Sequence, residues 1–282
     1  MNESRRRSIL CPGCRRLISG DEQVCPYCGI SRPGSGITSF IWAGMNAWKQ
    51  GAIKLIIGAN IVLFVISILI GIKGTSFSIQ PFSFLAPGNK VLILLGATGV
   101  FPIDSLHRWW TLVSANYLHG GLLHLVFNML AFSQLGTLAT REYGTSRMFV
   151  IYTAGGAAGF LISYVAGVSL TIGASAAICS LIGSMLYYGR SRGGVYGDLV
   201  YRRIGGWAVG IFLFGLLVPG INNWGHGGGL AAGIGLGYVL GYEEKRRESH
   251  LHRTLGGICA VLTMAVLFWA SGSTIYYLVS GI

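Results

Sequence analysis

Five polar side chains sit inside apolar, small-residue stretches of this 282-residue chain, and together they make a chemically coherent set. Ser175 lies in Gly173-Ala174-Ser175-Ala176, near the start of an apolar run. His226 stands equally near the start of another, His226-Gly227-Gly228-Gly229-Leu230. A third, from His119 to Asn128, supplies His119, His124 and Asn128. A serine hydroxyl is a weak nucleophile until a neighbouring base takes its proton. His226 is the candidate base, and later the acid for the leaving amine. The acids Asp104 and Asp198 are expected in loops, and no carboxylate falls in an apolar run. The arrangement therefore reads as a dyad. A developing oxyanion needs donors, and His124, Asn128 and the Ser175 backbone N–H can supply them. His124 and Asn128 are four apart, on one helical face. His119 is expected at the water edge, supporting water retention.

These side chains must be carried by membrane-crossing helices. The chain is 52% hydrophobic and 11% charged, against about 25% charge in an ordinary soluble domain. Seven apolar spans are expected, near 54–72, 116–137, 147–166, 171–189, 204–220, 225–242 and 255–279. Several approach the minimum of about 17–20 residues for a crossing. With the N-terminus inside, 18 of the 21 Lys and Arg residues fall on the inner side. Only Lys73, Lys90 and Arg108 fall outside, all in one long loop. This bias accounts for the net charge of +12 without nucleic acid and sets the C-terminus outside. In that topology Ser175, His226, His119, His124 and Asn128 all lie towards the outer face. Polar groups in spans are costly and usually functional. Gly229, Gly233, Gly237 and Gly241 repeat every fourth residue, a smooth face that would let the serine and histidine helices approach backbone to backbone. A transporter or channel would need paired internal charges, which the spans lack.

Outside the spans, residues 1–36 carry Cys11-Pro-Gly-Cys14 and Cys25-Pro-Tyr-Cys28, two knuckles that can enclose one tetrahedral Zn²⁺ as a structural, non-catalytic ion. So short a segment has no core of its own, and metal would supply its folding energy. Nucleic-acid binding through Arg5, Arg6, Arg7, Arg15 and Arg16 is the lesser reading. Residues 37–53, with Phe40, Ile41, Trp42, Trp48 and Lys49, read as an amphipathic linker on the membrane surface. The 73–115 loop, with Pro81, Pro87, Trp109 and Trp110, is long enough to be functional and is expected partly in the outer leaflet. Cys179 and Cys259 read as small core residues.

With these motifs in hand, residues 54–282 resemble the rhomboid family of intramembrane serine proteases. The matching motifs are His119 to Asn128, Gly173-Ala174-Ser175-Ala176 and His226 to Gly233. The resemblance implies an all-α polytopic membrane protein with a six-helix rhomboid-like core and one added C-terminal transmembrane helix; the zinc-ribbon-like residues 1–36 lie outside the family core. It implies Ser175 as nucleophile, His226 as base, His124 and Asn128 at the oxyanion, and single-span membrane proteins as substrates. The fifth span would be the lateral gate. The alternative is a catalytically inactive rhomboid-like protein that binds membrane clients. The chain departs from the family pattern at Ala176, where glycine is common and a methyl could crowd the oxyanion pocket. It departs again at Trp109-Trp110, where a Trp-Arg pair is common and loop anchoring is at issue. A prokaryotic inner membrane suits the small size and cytosolic N-terminus.

Overall fold

A computed structural model describes residues 8–12, 16–27, 29–71, 75–77, 84–218 and 220–280, with side chains of 39–50 outside the description. Cys14, Cys28, Pro81, Arg5, Arg6, Arg7 and Arg15 therefore lie outside the described residues, as do the linker side chains named above. The chain divides into two compact units, residues 1–54 and 55–282.

In the first unit, β1 (Ser8–Leu10) pairs antiparallel with β2 (Leu17–Ser19), Ile9 opposite Ile18. Cys11 and Cys25 are buried with Ile18 between them. The Cys11 N–H donates to Arg16 O (2.9 Å), the Cys25 N–H to Ile30 O (2.8 Å), and the Gly29 N–H to Cys25 O (2.9 Å). Each cysteine thus opens a turn closed by backbone bonds, and Gly29 takes φ +72° to complete the second. No cluster of three or more metal-ligating side chains occurs among the described residues, which exclude two of the four cysteines. Ser35 Oγ accepts from the Thr38 N–H (3.1 Å) and caps α1 (Gly36–Ile70). The helix begins well before the expected linker ends, because no proline interrupts residues 37–53.

The second unit is helical: α4 (Leu122–Tyr143), α5 (Thr145–Val165), α6 (Ser175–Arg192), α7 (Gly194–Leu217), α8 (Asn223–Leu240) and α9 (His250–Ser280). Asp198, expected in a loop, stands on α7. Among the described residues, five helical stretches are long and apolar enough to cross a membrane: 51–70 of α1, and α4, α5, α7 and α9. The expected count of seven is met by composition at only five of them. The other two, α6 and α8, have 18 residues each and carry Ser175 and His226. Glycine, serine and histidine dilute their apolar content. Most of α6 is buried among other helices, whereas α8 buries its glycine face and leaves Trp224, Ile234, Tyr238 and Val239 exposed.

The glycine face of α8 meets α6 backbone to backbone. A methyl on Gly229 or Gly233 would collide with the carbonyl oxygens of Ala176 or Ser180, and one on Gly237 would come 3.1 Å from Ser184 Cα. On α5, Gly159 does the same: its Cβ would stand 2.7 Å from Gly225 O. The far end of α8 is tied by Arg147, fully buried. Its Nη1 donates to Gly241 O (2.9 Å) and Arg246 O (2.7 Å), and its Nη2 bonds Glu243 (2.6 Å). The sequence suggests Arg147 only as a loop charge; its burial is tolerable because the carbonyls left over at a helix C-terminus receive it.

The segment from β3 (Ser76–Phe77) and β4 (Phe84–Ala86) through α2 (Asn89–Leu94), a π-turn at Phe101–Ser105, α3 (Thr111–Ser114) and a 3₁₀ turn at Ala115–Tyr117 leads into α4. It is anchored without a Trp-Arg pair. Arg108, just before the two tryptophans, donates to Ile93 O (3.1 Å), and Thr111 Oγ1 bonds Thr98 Oγ1 (3.0 Å). Thr98 then exchanges backbone bonds with Thr171 (3.1 and 2.7 Å). The loop therefore braces the segment that delivers Ser175.

Candidate active site

Gly173 adopts φ +124°, a conformation few other residues tolerate, and its N–H donates to Ala115 O (2.9 Å). The chain turns there, and α6 begins at Ser175 itself. The expectation of a serine one turn inside its helix is corrected: it is the first helical residue. The first amide bonded in the helical ladder is that of Ile178, to Ala174 O (2.9 Å). The N–H groups of Ser175, Ala176 and Ala177 precede it and sit at the positive end of the helix dipole.

His124 is on the first turn of α4. Its Nδ1 accepts from the Gly120 N–H (3.4 Å), so the neutral ring carries its proton on Nε2. That Nε2 and Ser175 Oγ flank the same point: a Cβ on Gly173 would stand 2.8 Å from the first and 3.7 Å from the second. Glycine is the residue that leaves this space open. Asn128 Nδ2 donates to His124 O (2.8 Å), leaving its second N–H available.

His226 lies in the first turn of α8. Its Nδ1 is buried without a hydrogen-bond partner among the described residues, so Nε2 is the nitrogen that serves the cavity. The start of α8 is fixed by Asn222, whose Oδ1 accepts from the Gly225 N–H (3.0 Å) and whose backbone O accepts from the His226 N–H (3.2 Å). Asn222 Nδ2 reaches Ser163 on α5 (2.7 Å) and Thr171 (3.0 Å). One amide thus joins the helix of the histidine to the segment that leads into the serine. Sequence reasoning passed over Asn222; its place as an N-cap residue just before the histidine helix was the available signal.

One cavity of about 770 Å³ is lined by all of these groups: Ser175, His226, His124, Asn128 and Asn222. No Asp, Glu, Lys or Arg lines it among the described residues. Two expectations are corrected. His119 is enclosed, 1% exposed, with neither ring nitrogen hydrogen-bonded among the described residues. It stands edge-on to His124 at 5.0 Å and does not line the cavity. Ala176 does not crowd the cavity either: its methyl packs with Ala115, Phe160 and Leu112.

The cavity is walled on one side by α7, whose early residues Gly197, Val200 and Ile204 are buried. Later ones, Val209, Phe212, Leu213, Leu216 and Leu217, are each at least half exposed. The helix is fastened at its start and stands free along the cavity.

Residues 106–243 match the rhomboid domain family. The chain is 30% identical over 223 residues to RHOMBOID-like protein 4 of Arabidopsis thaliana, covering 73% of this chain and 55% of that protein. It is 37% identical over 138 residues to rhomboid protease GluP of Bacillus subtilis, covering 48% and 26%. To RHOMBOID-like protein 6, mitochondrial, of Arabidopsis thaliana it is 32% identical over 184 residues, covering 61% and 60%. The chain thus spans between about a quarter and three fifths of these relatives' lengths. All of Ser175, His226, His124 and Asn128 fall inside the matched domain. Membrane-length helices, this domain match and these relatives agree: residues 106–243 match a rhomboid domain, in a chain similar to rhomboid family membrane proteins.

Proposed function

We propose that the chain is an intramembrane serine endopeptidase that cuts transmembrane clients with a Ser175–His226 dyad. The observation that supports this reading is the single cavity lined by Ser175, His226, His124 and Asn128. In the acylation step Ser175 Oγ bonds to the scissile carbonyl carbon while its proton passes to His226 Nε2. The carbonyl oxygen takes the negative charge, facing the His124 Nε2–H, the free Asn128 N–H and the amides at the start of α6. When the C–N bond breaks, the leaving nitrogen takes the proton from His226. Water then attacks the acyl carbon, gives a proton to His226, and the ester C–O bond breaks as Ser175 regains it. With no carboxylate lining the cavity beside His226 among the described residues, orientation of the ring falls to the capped start of α8. The free length of α7 suits a lateral entrance, and the charge bias of the loops supports an internal N-terminus and an external C-terminus.

A fluorophosphonate serine-hydrolase probe tests this. The wild-type protein is expected to label and Ser175→Ala to stay blank. A wild type left unlabelled beside a labelled control protease would favour the inactive client-binding alternative.

We further propose that Cys11, Cys14, Cys25 and Cys28 hold a structural Zn²⁺. The two buried cysteines that open backbone-closed turns in the N-terminal unit support it. Chelation of the purified protein is expected to release about one zinc per chain and expose residues 1–36 to protease, with client cutting retained. Absence of zinc from protein purified without chelator would end the proposal.

A further inference from the structure

Gln134 is a polar side chain on α4 that the catalytic scheme does not use. It is the thirteenth of that helix's 22 residues. It is exposed and makes no hydrogen bond among the described residues. A free amide at the middle of a membrane helix is costly unless something arrives to bond it. Gln134 also lines the cavity that holds Ser175.

The surroundings say what arrives. Besides His124 and Asn128, α4 lines the cavity with Phe127, Leu130, Ala131 and Gln134; α7 lines it with Trp207, Gly210, Ile211 and Phe214. Each set follows the i, i+3, i+4, i+7 spacing of one helical face. The two faces border one space, continuous with the serine and free of charged side chains among the described residues. Of these eight side chains only that of Gln134 carries an amide donor and acceptor. Such a trough matches an uncharged helix; among the described residues of the two faces Gln134 offers both a donor and an acceptor, and Trp207 a single N–H donor. Gln134 lies six residues beyond Asn128 on the same helix, roughly 9 Å deeper at about 1.5 Å per residue.

We propose that Gln134 is a specificity-determining residue. It selects clients whose transmembrane segment presents an uncharged hydrogen-bonding side chain, such as Gln, Asn, Ser or Thr, about 9 Å along the trough from the reacting bond. This rests on the protease reading for the position of that bond. The recognition itself is a binding event and is measured apart from cutting.

The experiment uses full-length Ser175→Ala protein in proteoliposomes, so that nothing is consumed. Two labelled single-span peptides serve as probes, identical except for Gln or Leu at the selected depth, and binding is read by energy transfer. Hydrogen bonds between membrane helices predict roughly three- to ten-fold tighter binding of the Gln peptide. Adding Gln134→Leu should abolish that preference; Gln134→Asn should retain part of it. Equal affinity for both peptides in the Gln134 protein, a preference that survives Gln134→Leu, or no binding of either peptide would overturn the proposal. Cutting by the otherwise wild-type protein is scored separately. If the binding preference holds and nothing is cut, the protease reading fails and the recognition stands.

Discussion

Replacing His226 with alanine is expected to lower client cleavage by at least about 10⁴-fold, to the level of Ser175→Ala. The two groups act on one proton, so losing either removes the same step. The double variant should therefore be no slower than either single one. The fold is expected to survive. His226 Nδ1 bonds nothing among the described residues, so its removal strands no buried partner, and the ring faces a cavity. The check is turnover of a transmembrane client by all three variants, with thermal melting measured alongside. Near-normal turnover by His226→Ala in a folded protein would remove the base assignment. A Ser175→Ala/His226→Ala protein much slower than both singles would show that the residues do not act together.

The second large effect belongs to His124. Its ring presents Nε2–H because Gly120 holds Nδ1 as an acceptor. That proton is aimed at the space beside Ser175 kept clear by Gly173. An oxyanion donor of this kind accounts for about 10²–10³-fold in kcat. His124→Ala is therefore expected to lose that factor in kcat with KM little changed, since the bond strengthens only as charge develops. Asn128→Ala should lose less, because one of its two donors is already committed to His124 O. Steady-state kinetics on one client distinguishes these outcomes. A change confined to KM would make His124 a binding residue instead.

Much of this site was legible because polar side chains inside apolar runs announce themselves. Ser175, His226, His124 and Asn128 were found that way, and the four-residue glycine repeat pointed correctly to the α6–α8 contact. What failed was depth. Hydropathy cannot see that Gly173 turns the chain, so the serine helix was begun about a turn too early, and the α4 helix several residues too early. His119 was consequently read as a helix residue near water, whereas it lies in the lead-in and is enclosed. The cost of a methyl at Ala176 was misjudged for the same reason: the side-chain direction depends on where the helix starts. Gly155, Gly156 and Gly159 on α5, and Arg147 just after the α4–α5 turn, carry no reactive group, so their packing and tethering roles emerge only from three-dimensional neighbours. Gln134 was missed because a lone amide on an apolar helix has no spacing partner in the sequence.

The free length of α7 has a consequence for how this protein would tolerate change. Few of its later side chains take part in holding the bundle together, so mutations there escape the penalty that guards the rest of the scaffold. Under the proposed protease reading, the part of client choice that α7 sets would be encoded apart from stability. That part could drift while the folded state stays untouched, and surveys scored by expression or melting alone would pass over the drift.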